Sequence, residues 1–246
     1  MRLLLLYGIY AVALNVALRW RGVGSTSASA WVPPSPISRI AVVGATGGTG
    51  RALLSEALKR GYTVTAVARR VTALDMKHQR LHVVQGNVLD GDSLLRALAG
   101  QDAVVSTLGH HNYFYPTRTL SRGTSNIVAA MRATGVHRLI CQTSLGIGHS
   151  AGRMGLYYSL FVIPVILPFY FWDKARQEQV IAASRLAWTI VRPVALSNGP
   201  SRRCTKSGDV GSVAWTHHIP RVDVANFLLD QLGDDQRVGV AVGVSS

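Results

Sequence analysis

Carboxylates and cysteines are scarce in this chain. Twelve Asp and Glu stand against 26 Lys and Arg in 246 residues, a formal net charge of +14, and no carboxylate occurs before Glu56. The arginines are spread along the chain rather than gathered in blocks, and no nucleic-acid-binding motif is present. The basic balance is therefore assigned to anionic cofactors or lipid surfaces rather than to nucleic acid. The two cysteines, Cys141 and Cys204, lack the spacing of a metal or redox pair. That excludes a disulfide scaffold and fits a reducing compartment. The pairs His110–His111 and His217–His218 have no third ligand at useful spacing, so no metal site is expected. The absence of tandem repeats excludes a solenoid.

What is present is a complete strand, glycine turn, helix and second strand from Ser38 to Arg70. Arg39 to Val43 is a short apolar run suited to a buried parallel strand, and Gly44, Gly47 and Gly50 follow as G-x-x-G-x-x-G with Gly48 added. Gly44 turns the chain off the strand. Gly47 and Gly48 let backbone N–H groups approach a pyrophosphate, and Gly50 lets the next helix sit close to the sheet. The helix N-terminus then faces the anion. Gly61 stops that helix, and Tyr62 to Ala68 reads as a strand. At its end, where an NAD site carries a carboxylate for the ribose 2′-hydroxyl, stand Arg69 and Arg70. A guanidinium pair suits a 2′-phosphate, which points to NADP as the cofactor.

The alternation continues through strands at Leu81 to Gln85, Asp102 to Thr107, Arg138 to Gln142 and Trp188 to Arg192. Helices are expected over Asp90 to Leu98, Arg118 to Ala133, Lys174 to Ala183 and Val222 to Leu232. Strands alternating with helices at this spacing predict an α/β fold, a Rossmann-like doubly wound parallel sheet in a single domain, with ligands over the carboxyl ends of the strands.

Two apolar segments interrupt this pattern. Residues 1–38 are set apart from the domain at 39–246, as a hydrophobic segment and a Pro33-Pro34-Ser35-Pro36 linker. Leu3 to Leu18 is apolar apart from Asn15, slightly short of the ~20 residues that cross a bilayer, and ends in Arg19, Trp20 and Arg21. Four readings stay open. These are an anchor with its domain on the cytoplasmic side, a signal cleaved near Ala28-Ser29-Ala30, an organelle-import sequence, and an upstream start codon. The second segment is the insertion Leu156 to Trp172, in which Pro164 and Pro168 are expected to break a regular helix. It reads as core, as a lid or substrate wall, or as a membrane-dipping loop, with Tyr157, Tyr158, Phe169 and Tyr170 able to stack on a flat ring.

The segments GATGGTG at 44–50, VVQGNVLD at 83–90, GQDAVVSTLG at 100–109, NIVAAMRATGV at 126–136, TSLG at 143–146 and DKARQEQVIAASRLAWTIVRP at 173–193 carry a family likeness. Residues 39 to 232 resemble the atypical short-chain dehydrogenase/reductases with an NAD(P)H-binding, NmrA-like domain, the group that includes biliverdin-IX-beta and flavin reductases. The resemblance implies an NADPH site formed by Gly44, Thr46, Gly47, Gly48, Thr49, Gly50, Arg69, Asn87, Val88, Leu108 and Gly109. Asn87 departs from the group, which commonly has Asp there, so the adenine-edge hydrogen bond is expected from an amide oxygen.

For chemistry the sequence offers Ser144 at the end of a strand and Tyr170-x-x-x-Lys174 one helical turn apart. In the extended short-chain dehydrogenases that these residues resemble, a tyrosine donates the proton, a lysine lowers its pKa and holds the ribose, and a serine polarises the carbonyl. Flavin-reductase relatives lack the tyrosine and deliver hydride alone. Three functions remain open. The first is an NADPH oxidoreductase acting on an apolar conjugated acceptor such as a flavin, quinone or tetrapyrrole. The others are an NADP(H)-binding sensor or assembly factor without turnover, and an extended-type dehydrogenase or epimerase using Tyr170 and Lys174.

Overall fold

The computed structural model describes residues 2–23, 36–110, 112–202, 205–208 and 218–246. Cys204, His111, His217, the Ala28-Ser29-Ala30 site and most of the proline linker lie outside the described residues.

The alternation in sequence becomes a sheet of eight strands in the order β3-β2-β1-β4-β5-β6-β10-β8. Its strands are β1 (Arg39–Val43), β2 (Thr63–Ala68), β3 (Leu81–Gln85), β4 (Ala103–Ser106), β5 (Arg138–Gln142), β6 (Ala187–Pro193), β10 (Val240–Ser245) and β8 (Lys206–Gly208). All pair in parallel except β8, which runs antiparallel to β10 along the edge. A separate two-stranded sheet joins β7 (Ala195–Ser197) and β9 (His218–Pro220). The strand order reverses between β1 and β4, and the crevice at such a switch point is where a doubly wound sheet binds ligands.

Both faces are covered at the centre of the sheet, where β4, β5 and β6 are buried along their whole length rather than alternating, whereas β3 and β8 at the edges are partly or fully exposed. Along β1, Ile40 and Val42 enter one apolar cluster and Ala41 and Val43 the other. Helices α2 (Gly48–Lys59) and α7 (Arg221–Asp230) pack together on the first face. On the second lie α3 (Gly91–Leu98), α4 (Thr119–Thr134) and the end of α6 (Pro168–Ala182). Asp90 caps α3. The Asp90 carboxylate accepts from the N–H groups of Asp92 and Ser93, at 3.1 and 3.4 Å. Asp102 anchors the start of β1 by accepting from the N–H groups of Ser38 and Arg39, at 2.8 and 2.7 Å.

Differences from the sequence expectation gather around proline and the C-terminus. The helix expected from Lys174 begins at Pro168, because proline at a first helical position gives up only an N–H that lacks a partner there. Pro164 does not end its helix. The α-helical turn α5 (Gly155–Tyr157) continues as a π-helix over Tyr158–Ile166 with Pro164 inside it, and the chain then bends by 97° into α6. Strands β7 to β10 fall in short stretches without a periodic signal, and β10 adds a seventh parallel strand.

The N-terminal segment forms α1 (Arg2–Arg21), which packs against the insertion, α6 and the turn at Gly148–Ser150. Leu18 is fully buried, and the backbone at Gly22 meets that at Gly148 so closely that a Cβ on Gly22 would lie 2.0 Å from the Gly148 Cα. Buried Arg192 donates from Nη2 to the Val23 carbonyl at 3.0 Å. The end of the helix, set apart from the domain in the sequence reading, is therefore seated in the domain's surface.

Candidate functional site

The residues singled out in sequence stand at the carboxyl ends of successive strands. Gly44 to Gly50 link β1 to α2, Arg69 and Arg70 follow β2, Asn87 and Val88 follow β3, Leu108 and Gly109 follow β4, and Ser144 follows β5. Tyr170 and Lys174 come from α6, which returns over the same edge.

Within the glycine loop, Gly44 has φ +87°, and a Cβ there would lie 2.8 Å from the Thr107 carbonyl oxygen. A Cβ on Gly50 would come within 2.2 Å of the Gly44 carbonyl. Both positions therefore require glycine, one for the turn and the other for the close approach of α2 to β1. Gly47 donates its N–H to the Gly44 carbonyl at 3.0 Å. The donors left over are the first-turn N–H groups of Gly48, Thr49 and Gly50, none with an acceptor among the described residues. Thr46 is exposed at the rim, and Thr49 is buried beneath it.

Arg69 and Arg70 are exposed, and neither guanidinium makes a hydrogen bond or ion pair among the described residues, although the Arg70 carbonyl accepts the Ala73 N–H at 3.1 Å. Arg51, by contrast, donates to the carbonyls of Thr46 and Ala73 at 3.1 and 2.6 Å. Asn87 accepts the Leu89 N–H on its amide oxygen at 3.1 Å, so this atom is already engaged in a local turn. The Val88 carbonyl receives the Asn126 amide at 2.8 Å, which ties the β3 end to α4.

Tyr170 forms the wall beside Gly109. Its hydroxyl oxygen lies 3.8 Å from where a Gly109 Cβ would stand, and its ring makes edge contacts with His110 and Tyr113 at centroid distances of 5.0 and 5.7 Å. Burial, and secondarily Tyr170, raise the Tyr113 pKa, so that phenol stays protonated at neutral pH. Lys174 is buried, its ammonium donating to the carbonyls of Leu108 and Gln142 at 3.0 and 3.2 Å. It bridges the ends of β4 and β5, and its nitrogen lies 5.8 Å from the centroid of the Tyr170 ring. Ser144 donates to the adjacent Leu145 carbonyl at 3.1 Å and makes no hydrogen bond to Tyr170. The serine, tyrosine and lysine share one end of the sheet without forming a relay.

Two features escaped the sequence reading. Arg221, the first residue of α7, lays its side chain over Gly48, where a Cβ would meet its Cδ at 2.7 Å. It places a cation beside the α2 N-terminus, and a lone Pro-Arg pair in a weakly patterned stretch gives no signal of it. The other is a buried polar layer under the site. Glu178 pairs with Arg192 through contacts of 2.9 and 2.6 Å, both side chains having no exposure, and accepts the Thr143 hydroxyl at 2.7 Å. Asp173 accepts from the N–H groups of Leu120 and Ser121 and caps α4. Cys141 lies in the same layer, its thiol pushed up to about 11 by burial and so held protonated and unreactive. No group of three or more metal-ligating side chains occurs among the described residues.

Residues 44–235 match the model of a family described as NAD(P)H-binding. An uncharacterized chloroplast protein of Arabidopsis thaliana is 30% identical over 175 residues, 66% of this chain and 60% of that protein. The 2-alkyl-3-oxoalkanoate reductase of Stenotrophomonas maltophilia is 29% identical over 119 residues, 46% of this chain and 35% of that one. The chain thus spans less than two thirds of the length of these relatives. Among solved structures, a short-chain dehydrogenase/reductase from Veillonella parvula, determined in complex with NADP, superposes with a TM-score of 0.71 at 18% identity, covering 85% of this chain and 95% of that one.

Proposed function

The chain belongs to the NAD(P)H-binding family, and from that premise we propose that it is an NADPH-dependent oxidoreductase whose acceptor is an apolar conjugated molecule of flavin, quinone or tetrapyrrole type. The observation that carries this reading is the meeting, over the β1–β4 switch point, of open helix N–H groups, uncommitted arginines and an aromatic wall. Gly44 and Gly50 leave a cradle that side chains would fill, and the first-turn N–H groups of Gly48, Thr49 and Gly50 supply donors for a pyrophosphate. Arg69 and Arg70 suit a 2′-phosphate because binding it breaks no existing interaction. Asn87 and Val88 would border the adenine, and Leu108 and Gly109 the nicotinamide side. The bound cofactor would supply a hydride.

The protein's own part is binding, orientation and exclusion of water. Tyr170, His110 and Tyr113 offer apolar and edge-on contacts to a flat ring. Lys174 fixes the floor by holding the ends of β4 and β5 together, a positioning role that replaces the ribose contact expected from its sequence spacing. With the Lys174 ammonium satisfied by two carbonyls, Tyr170 is a wall rather than a proton donor, and the proton comes from water. The S. maltophilia relative's designation as a reductase supports turnover. The chloroplast designation of the Arabidopsis relative supports the organelle reading of the N-terminal segment. The docking of α1 supports its retention rather than cleavage.

The test uses the full-length protein in detergent with NADPH, following 340 nm absorbance as flavins, quinones and tetrapyrroles are added in turn. Consumption that saturates with one acceptor class is the expected result. Tight NADPH binding without consumption across the panel would replace this reading with a cofactor sensor.

A further inference from the structure

The exposed apolar surface of the molecule is concentrated on two elements that touch, α1 and the π-helix Tyr158–Ile166. Leu3 and Leu4 are 82% and 77% exposed. Ile9, Val12, Val16 and Trp20 continue one face of α1 at helical spacing. Beside it, Leu156, the pair Leu160 and Phe161, Val165 and Phe169 follow one another about one helical turn apart along the insertion, all exposed, with Leu156 79% exposed.

Three backbone carbonyls of the insertion are met by side chains of α1, while the buried Asn15 Oδ1 and Ser159 hydroxyl have no hydrogen-bond partner among the described residues. In a π-helix each N–H bonds the carbonyl five residues earlier, as Leu167 does to Val162 at 2.9 Å. Pro164 has no N–H, so the Ser159 carbonyl is left without its partner. Asn15, the amide in an otherwise apolar run of α1, donates from Nδ2 to that Ser159 carbonyl at 2.8 Å. Tyr10 donates to the Pro164 carbonyl at 3.2 Å, at the break before α6, and Tyr7 donates to the Leu160 carbonyl. Water would supply such partners to a loop on an ordinary protein surface. Hydrocarbon would not, and non-helical backbone at membrane depth needs protein partners of this kind.

The dimensions and the charge distribution agree. The 20 residues of α1 extend for ~30 Å, the thickness of a hydrocarbon core. The helix ends in Arg19, Trp20 and Arg21, where the Arg21 guanidinium lies 4.2 Å from the Trp172 ring centroid and that of Arg176 lies 5.9 Å from it. Aromatic and cationic side chains of this kind gather at the membrane–water interface, next to anionic headgroups.

We infer that α1 and the insertion 155–169 enter a lipid bilayer together as one unit, α1 as the long limb and the bent α5–α6 passage as a re-entrant limb packed against it. The Arg19–Arg21 and Trp172–Arg176 belt lies at the headgroups. Tyr170, just past the bend at Leu167 and Pro168, then sits above the bilayer surface, where an apolar acceptor arrives from the lipid rather than from water. The insertion itself does not depend on the oxidoreductase reading.

The experiment places a polarity-sensitive NBD label on the full-length chain at Phe161→Cys, Leu5→Cys or Asp92→Cys, each in a Cys204→Ser background with buried Cys141 left in place. The labelled proteins are reconstituted into phosphatidylcholine/phosphatidylglycerol vesicles and quenched with doxyl-labelled lipid or with aqueous iodide. Labels at 161 and 5 are both expected to lose at least half their emission to doxyl lipid and to be shielded from iodide, while the label at 92 shows the reverse. Shielding at 5 with iodide access at 161 would overturn the inference, since α1 would then insert alone. Equal shielding of 161 in lipid-free buffer and in vesicles would also overturn it, by assigning the face to a second copy of the chain. Circular dichroism of each labelled protein identifies any variant that has not folded, and Leu156→Cys is then read in place of Phe161→Cys.

Discussion

Replacing Arg69 with alanine removes a guanidinium that is exposed and makes no hydrogen bond or ion pair among the described residues. The substitution therefore costs the fold little, and any change in nucleotide affinity reports the ligand alone. A hydrogen bond to a charged group contributes ~1.5–3 kcal/mol. At 1.36 kcal/mol per decade this is a loss of about 10- to 150-fold in NADPH affinity. The lower end is expected at physiological salt, where screening acts over ~8 Å. NADH has no 2′-phosphate and should lose less than about 3-fold. Arg70→Ala should show a smaller loss of the same kind, and the double variant should bring NADPH and NADH to within a few-fold of each other. Fluorescence titration of both nucleotides against each variant at two salt concentrations measures these quantities. Equal affinities for NADPH and NADH in the unsubstituted protein would refute the assignment of the arginines. So would an Arg69→Ala loss of the same size for both nucleotides.

Tyr170→Phe should leave turnover within about 3-fold, whereas Tyr170→Ala should raise the acceptor KM through lost ring contact; a ~100-fold fall in kcat for the phenylalanine variant would instead show that Tyr170 is the proton donor. Arg192→Met should destabilise the protein by ~3–5 kcal/mol because it strands the buried Glu178 carboxylate, and adding Glu178→Leu should recover part of that loss; strictly additive losses in thermal melts would show that the two do not act as a pair. Asp102 has a pKa held below the ordinary carboxylate value: burial opposes the shift, but the bonds from Ser38 and Arg39 outweigh it. Its stabilisation should be full above pH ~4 and lost as the pH falls through that depressed value, so the melting-temperature gap to Asp102→Asn should close in acid; a gap constant from pH 7 to 3 would contradict this account.

The strands and glycines were legible because their signals are local. A buried parallel strand must be apolar on both faces, and the turn after β1 must be glycine where a Cβ would strike Thr107 or Gly44. The position of Arg69 and Arg70 was legible for the same reason, since it follows from the end of one strand. What did not read from sequence depends on contacts between distant segments. The Lys174 spacing from Tyr170 is that of a relay, yet the carbonyls that hold its ammonium belong to Leu108 and Gln142, 66 and 32 residues away. The role of Asn15 depends on a hydrogen bond left unmade by a proline in another element. Arg221 reaches Gly48 only because α7 packs on α2. The short strands β7 to β9 have too few residues to carry a period.

Helix α6 reads as a comb with its teeth on one side. Residues 173, 174 and 178 lie three, four and eight positions after 170, and each of the four engages a different part of the molecule: the site wall, the α4 terminus, the ends of β4 and β5, and the Arg192 that grips the segment following α1. Inserting or deleting one residue among them turns everything beyond it by ~100° and withdraws several teeth at once. In descendants of this sequence, length changes between Tyr170 and Glu178 are thus rejected, and the helix keeps its count while individual side chains along it diverge.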